Sequence, residues 1–261
     1  MTKNNNKLQY GDFSALAADY AMNRPAYSPF VLDAILSLFH RDKCEDISCV
    51  DVGAGTGTWT RMLACKGCKT TAVEPNDEMR KHGSAFNCQH SIKWLKGSAE
   101  DTGLKSNTYD LVTMASSFHW TDYDRTVSEF SRILKQNGLF AALWNTRVID
   151  DNPLLVKIEN KFKELVPDLK RVSSGRSNFC DNLTNRLMTC GKFKDVLYLE
   201  SHHTELQTQE RFIGLWRSVN ALQVQAGEKK FGLFIRFIEE QTSNIEFIEA
   251  KYLTRSWVAV K

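Results

Sequence analysis

The eleven residues CVDVGAGTGTW, positions 49 to 59, restrict the fold more than any other part of the chain. A short apolar run ends in an acid, Asp51. Glycines follow at alternate positions, Gly53, Gly55 and Gly57, and then a helix-like pattern begins. Glycine has no side chain, so the backbone can turn sharply and a ligand can come close to it. A buried strand, a glycine turn and a helix N-terminus in succession make a nucleotide-type site and commit the chain to a βαβ unit.

The rest of the first 147 residues continues that rhythm. Helical patterns cover 12–22 and 29–40, with the proline-interrupted "NRPAYSP" between them and Pro29 in a first helical turn. After "ISCVDVG" come a helix at 57–66, the strand "KTTAVE", a helix at 76–86, and the strands "HSIKWLKG" and "YDLVTMAS". Val127, Phe130, Ile133 and Leu134 share one face of a helix at 122–135, and "NGLFAALWN" is a fifth strand. The later pattern is helix 153–166, a polar loop "PDLKRVSSGRSNFCDN", a strand in "FKDVLYLESHHTEL", helices at 208–219 and 228–242, and a closing strand "IEFIEAKYLTRSWVAVK". The expected architecture is an α/β, doubly wound, Rossmann-like sheet, mostly parallel, with an antiparallel C-terminal strand and a helical cap. One domain is expected over 1–261: N-terminal lid helices at 1–40, a cofactor-binding core at 41–147, and cap plus closing strands at 148–261.

Composition excludes several classes. At 261 residues and 42% apolar, the chain can bury a full core, and a net charge of +3 without a basic stripe argues against a dedicated nucleic-acid binder. "MTKNNNKLQYGDF" has no apolar stretch of the signal-peptide kind, and no run is long enough to span a bilayer. The seven cysteines are odd in number and irregularly spaced, which favours a reducing, cytoplasmic setting over a disulfide framework. Cys65 and Cys68 form a C-x-x-C at the end of a helix with no matching second pair, so no metal site is expected.

Two ligand classes use such a glycine turn. The dinucleotide fingerprint wants a glycine at position 58, which here is Thr58, and the acid before the turn suits a cationic ligand better than a pyrophosphate. Glu74 ends the second strand about where a ribose-gripping acid belongs. On these residues the chain resembles a class I S-adenosylmethionine-dependent methyltransferase of the small-molecule, type 11, group. "VDVGAGTG" resembles the family's first motif and "AVEPNDEM" its ribose loop. "GSAEDTGLKSNTYDLVTMASSFHW" resembles the adenine segment and fourth strand, and "ILKQNGLFAALWN" the fifth. Asn137-Gly138 stands where the family usually has Pro-Gly-Gly. The likeness covers residues 10–147; beyond them only the closing strands are similar.

The resemblance implies S-adenosyl-L-methionine as cofactor and S-adenosyl-L-homocysteine as product. By position it assigns Asp51, Gly53, Ala54 and Gly55 to the methionine side, Glu74 to the ribose hydroxyls, and Pro75, Asn76 and Met79 to the border of the adenosine. Ser98, Ala99 and Glu100 fall where the family contacts adenine, and Ser116 closes the fourth strand. Tyr20 and Arg24, in a Y-x-x-x-R-P pattern, resemble an N-terminal lid whose arginine meets the cofactor's carboxylate; a surface ion pair is the other reading of Arg24.

Methyl transfer is an in-line displacement that mainly needs positioning, with a base where the acceptor is an alcohol. His119, after the fourth strand, is the candidate catalytic base, with a packing histidine as the alternative. Trp120 and Trp144 are expected to wall the acceptor site and Asn145 to orient a hydroxyl, unless it caps a turn. Arg171 and Arg176 are candidates for an anionic substrate, Trp216 for the pocket, and His202–His203 for a metal pair, each against a structural role. The function expected is O-methylation of a small polar metabolite or a sugar or capsule precursor by a monomer or homodimer, without nucleic-acid or membrane partners. An RNA methyltransferase is disfavoured by "SSFHW" where base-methylating enzymes carry a proline-rich motif, and a nicotinamide oxidoreductase by Asp51 and Thr58. A non-catalytic cofactor-binding module remains the third reading.

Overall fold

The computed structural model describes residues 13–86, 91–170 and 178–261. Arg171, Arg176 and the start of "HSIKWLKG" lie outside the described residues. Seven strands form one sheet in the order β3-β2-β1-β4-β5-β7-β6. β1 (Ser48–Val52) lies between β2 (Lys69–Val73) and β4 (Tyr109–Ala115) and is parallel to both. β3 (Ile92–Leu95) adds parallel to β2, and β5 (Leu134–Arg147) parallel to β4. β7 (Ile248–Val260) then pairs antiparallel with β5, and β6 (Asp195–Gln207) lies at the edge. The chain winds outward from β1 in one direction and from β4 in the other. The carboxyl ends of these two strands therefore flank the crevice where open α/β sheets bind ligands.

Strand alternation decides the two faces. Val50, Val52, Val112 and Met114 point to one face, covered by Val127, Phe130 and Ile133 of α5 (Tyr123–Ile133) and by Leu183 and Leu187 of α8 (Leu183–Thr189). Cys49, Leu111, Ala141 and Leu143 point to the other, under Val31, Leu32 and Ile35 of α2 (Pro29–Ser37) and Trp59 and Leu63 of α3 (Thr58–Cys65). α4 (Asp77–Ala85) packs through Gly83 against Trp94; a Cβ on Gly83 would stand 2.2 Å from the indole.

The described residues divide into two compact units that interleave along the chain. One holds the sheet strands with residues 25–147, the segment up to Thr204 and Lys251–Lys261. The other is helical and comprises the chain up to Arg24, residues 148–170 and Glu205–Ala250. Its core joins Leu155, Ile158 and Phe162 of α6 (Pro153–Leu165), Phe212 and Trp216 of α9 (Gln209–Arg217), and Phe234 and Ile238 of α10 (Asn220–Thr242). α1 (Ala17–Asn23) lies on α9 so closely that a Cβ on Gly214 would meet Asn23 Nδ2 at 2.3 Å. The segment 148–261, expected as cap plus closing strands, is thus shared by both units.

Local departures from the expected pattern have local causes. α10 begins eight residues before position 228 but is broken at Gly227, whose φ of 68° no helix accepts. The polar loop contains α7 (Asn178–Asp181), where Cys180 turns inward; α8, also unexpected, buries Leu183 and Leu187 one turn apart. Cys65 is exposed on α3 and Cys68 buried before β2, and the two are not joined by a disulfide. No helix among the described residues is long and apolar enough to cross a membrane.

At the amino edge of the sheet, Asp110 of β4 gathers three partners. Arg41 Nη2 donates to its carboxylate at 2.7 Å, Lys135 Nζ at 2.8 Å and Ser48 Oγ at 2.5 Å. Burial alone would raise this carboxyl, but the bonds from Lys135 and Ser48 outweigh it and hold the pKa at about 2. Its contribution to stability is therefore complete above the unfolded-state value near 3.8 and is lost as pH falls through 2. Asp110→Asn should cost about 1–2 kcal/mol at pH 7, after allowing for solvent screening, and the difference in urea denaturation should shrink below pH 4 and disappear only below about pH 2.

Candidate active site

The glycine loop leaves β1 at Val52 and is fastened to the end of β2. The N–H groups of Gly53 and Ala54 both donate to Val73 O, at 2.9 and 3.1 Å. Gly53, Gly55 and Gly57 have φ values of 64°, 57° and 82°, a region that side-chain-bearing residues seldom enter. Space forbids a side chain as well as torsion does. A Cβ on Gly53 would meet Ser117 Oγ at 2.7 Å, and one on Gly57 would meet Trp94 at 2.9 Å. The loop then opens α3, whose free N–H groups and dipole give the turn a partial positive charge.

Under the loop, Asp51 is fully buried. Thr60 Oγ1 of α3 donates to its Oδ2 at 2.6 Å and Thr113 Oγ1 of β4 donates to Oδ1 at 3.0 Å. Burial raises the pKa to about 7, opposed by the bonds from Thr60 and Thr113 and reinforced by the nearby charge of Glu74. This corrects the expectation that Asp51 faces a cationic ligand. Both oxygens are engaged from within, and near neutrality the group is only half ionised, so it braces the loop rather than touching what the loop holds.

Glu74 is placed differently. It sits at the carboxyl end of β2, where its Oε2 accepts from Gly55 N–H at 2.8 Å and its Oε1 from Asn76 N–H at 2.9 Å. Burial raises its pKa against those two bonds. Asn76 caps α4, its Oδ1 accepting from Glu78 and Met79 N–H at 3.0 Å each. Met79 is buried beneath Gly55, its methyl 3.5 Å from where a Cβ would stand. An acid with unfilled lone pairs, a side-chain-free cradle and a helix N-terminus fit an adenosyl cofactor with a diol and a small zwitterionic arm.

Comparison with known proteins agrees. A family model described as a methyltransferase domain matches residues 50–142. An uncharacterized methyltransferase of Mycobacterium tuberculosis is 34% identical over 135 residues, 52% of each chain. The match thus spans about half the length of that relative. Residues 50–142 carry a methyltransferase domain of the class I, S-adenosylmethionine-dependent type. An uncharacterized methyltransferase of Schizosaccharomyces pombe is 25% identical over 258 residues, 95% of this chain and 96% of its own length. The malonyl-[acyl-carrier protein] O-methyltransferase of Geobacter sulfurreducens is 34% identical over 130 residues, 48% of each chain. A solved candidate type II methyltransferase from Anaeromyxobacter dehalogenans shares the fold, with a TM-score of 0.63 at 17% identity over 91% of this chain and 97% of its own.

The sheet brings most of the expected residues to its carboxyl edge, with altered roles for some. Ala99 is buried in the core between Ser98 and Glu100, and Glu100 Oε1 accepts from Asp122 N–H at 2.9 Å, so this carboxylate caps α5. Pro75 is exposed. Ser116 has a φ of 59° and its Oγ lies 3.0 Å from Tyr27 Oη; a serine held in that region marks local strain at the edge of the crevice. Asn145, expected to orient an acceptor, is consumed by the fold. Its Nδ2 donates to Ala26 O at 2.7 Å and its Oδ1 accepts from Thr254 Oγ1 at 3.0 Å. His202 and His203 cannot form a metal pair, because neighbours on a strand point to opposite faces; His203 Nε2 lies 2.9 Å from Ala26 O and its ring stacks on Tyr252.

Three expected residues belong to the helical unit. Arg24 Nη2 donates to Ser218 O at 3.1 Å and its guanidinium lies 4.3 Å over the Tyr20 ring, which is no surface ion pair. Trp216 is 1% exposed and packs edge-on against Phe234, so it is core and not pocket wall.

His119 follows β4 in a single 3₁₀ turn, Phe118–Trp120. Trp144 Nε1 donates to its Nδ1 at 3.3 Å. An indole N–H can only donate, so Nδ1 carries a bare lone pair and the proton of the neutral ring is on Nε2. Burial pulls the pKa down to about 4. The base expected at this position therefore has its lone pair spent on Trp144 and a hydrogen-bond donor at Nε2. Trp144 is itself buried, while Trp120 is 49% exposed and lies 5.0 Å ring-to-ring from His119.

Two outcomes follow. Asp51 has a folded pKa of about 7 against 3.8 unfolded, so its contribution to stability is complete below pH 4 and is lost as pH rises through 7. Asp51→Asn, which does not titrate, should gain on the wild type across that window by on the order of a few kcal/mol in urea denaturation. For His119, long-range ¹H–¹⁵N spectra should show one neutral ring protonated on Nε2 at every pH from about 5 to 8, below which protonation begins.

Proposed function

We propose that this methyltransferase transfers the methyl group of S-adenosylmethionine to an oxygen of a small polar acceptor at the carboxyl edge of β1, β4 and β5. The observation that carries the reading is the cradle of Gly53, Gly55 and Glu74. The glycines leave room for the adenosyl arm, and the Glu74 carboxylate is held by Gly55 and Asn76 N–H with lone pairs left for a ribose diol. The O-methyltransferase relative from Geobacter sulfurreducens, whose name gives a malonyl group as its acceptor, supports oxygen as the site of transfer.

When bound, the cofactor supplies a methyl group already attached to its leaving sulfonium, so the protein's work is positioning. Gly53 and the α3 N-terminus seat the amino-acid end, Glu74 fixes the ribose, and Met79 and Ala99 exclude water from the adenosine. His119 gives an N–H to the acceptor through Nε2 and Trp120 walls it, while Trp144, expected as a second wall, is buried behind His119. With no free lone pair on His119, an alcohol's proton goes to water, whereas an acceptor already ionised needs none removed. The acceptor is a small molecule; the chain's charge of +3 without a basic stripe supports no nucleic-acid partner.

Glu74→Gln keeps the shape and removes the charge. Calorimetry with S-adenosylmethionine should show affinity lowered by about 10- to 100-fold, from hydrogen bonds to a charged group worth roughly 1.5–3 kcal/mol. Unchanged affinity with intact folding would place the cofactor elsewhere.

A further inference from the structure

On β7 the residue opposite Trp144 is Arg255. Directly opposed residues in an antiparallel pair project to the same face of the sheet. That face carries Trp144 and Trp257, whose rings meet edge-on at 5.6 Å, with Tyr198 of β6 5.0 Å from Trp257. The Arg255 guanidinium carbon lies 5.8 Å from the Trp257 ring centre. The level along the sheet is the carboxyl edge: Leu143 is the last β5 residue to pair with β4, and Trp144 is the next. Trp144 adjoins His119 through its Nε1 and Arg255 through the strand register.

The Arg255 guanidinium interacts with the Tyr198 hydroxyl, but its Nε and Nη2 are buried and without hydrogen-bond partners, and no ion pair to it occurs among the described residues. Glu200 accepts the Tyr198 hydroxyl at 2.7 Å instead. A guanidinium edge buried with unused donors is costly unless a ligand completes it. Nε and Nη2 share one edge of the planar guanidinium, the edge that binds an oxyanion with two parallel N–H bonds.

We propose that Arg255 is the anion-recognition residue of the acceptor site, taking a carboxylate or phosphate of a small acceptor through Nε and Nη2 beside the Nε2–H of His119. The proposal rests on the methyl-transfer reading and deepens it: the acceptor is anionic. A donor-only histidine fits such an acceptor, because an ionised oxygen needs no base.

The test is a titration of the full chain with succinate, glycerol 3-phosphate and neutral succinamide. It reads the arginine Nε–H resonance that Arg255→Gln removes, and it measures affinity by calorimetry. One of the anions should shift that resonance and bind at least about tenfold more tightly than succinamide, a preference lost in Arg255→Gln. Arg255→Lys, which keeps charge without the fork, should retain part of it and serves if the glutamine variant does not fold. A response to succinate alone assigns a carboxylate, and to glycerol 3-phosphate alone a phosphate. Equal binding of succinamide, or no shift with either anion, overturns the proposal. So does an anion preference that survives in both variants. S-adenosylmethionine affinity, measured alongside, should stay within about threefold in both. Failure of the wild type to bind that cofactor would instead overturn the methyl-transfer reading and leave the anion result to stand separately.

Discussion

The buried carboxyl of Asp51 joins the three elements on which the site depends. It leaves β1 just before the glycine loop and binds a hydroxyl of α3 on one side and a hydroxyl of β4 on the other. Two parallel strands and the helix that follows the first of them are thereby fixed at the place where the winding of the sheet reverses. Removing a carboxyl from water is costly, and here the cost is met by neutral donors and by retaining a proton, not by an opposite charge. The loop above is free to present glycines and backbone N–H groups because its support comes from beneath.

The second constraint is that polar groups near the crevice are largely committed to the fold. Glu100 caps α5, Asn76 caps α4, and Asn145 ties residue 26 to β7 through both ends of its amide. Each satisfies a donor or acceptor that burial would otherwise leave unpaired. Among the described residues, those we propose for ligands are the glycine backbone, the outer lone pairs of Glu74, the Nε2–H of His119 and one edge of Arg255. Chemistry at this edge is therefore done by orientation and by charge complementarity more than by proton transfer.

The sequence by itself determined the winding of the sheet, the glycine turn and the acid that ends β2. These follow from periodicity, from the torsions only glycine tolerates, and from a fixed spacing along one βαβ unit. Even the late strands β6 and β7 and the helix face of Val127, Phe130 and Ile133 were legible, because burial imposes the same period wherever it acts. Tertiary structure alone decided how side chains from distant segments share hydrogen bonds. Whether His119 is a base depended on Trp144, twenty-five positions away; whether Asn145 meets a ligand depended on Ala26 and Thr254; and Trp216 is core because α10 covers it. Arg255 gave no signal in "YLTRSWVAV", where a lone arginine on a strand reads as a solvated charge. Only the pairing of β7 with β5 sets it beside Trp144 at the carboxyl edge, with two nitrogens buried and unmatched. Local patterns record what a residue's neighbours in the chain require, whereas its protonation, orientation and pairing are set by neighbours that folding brings to it.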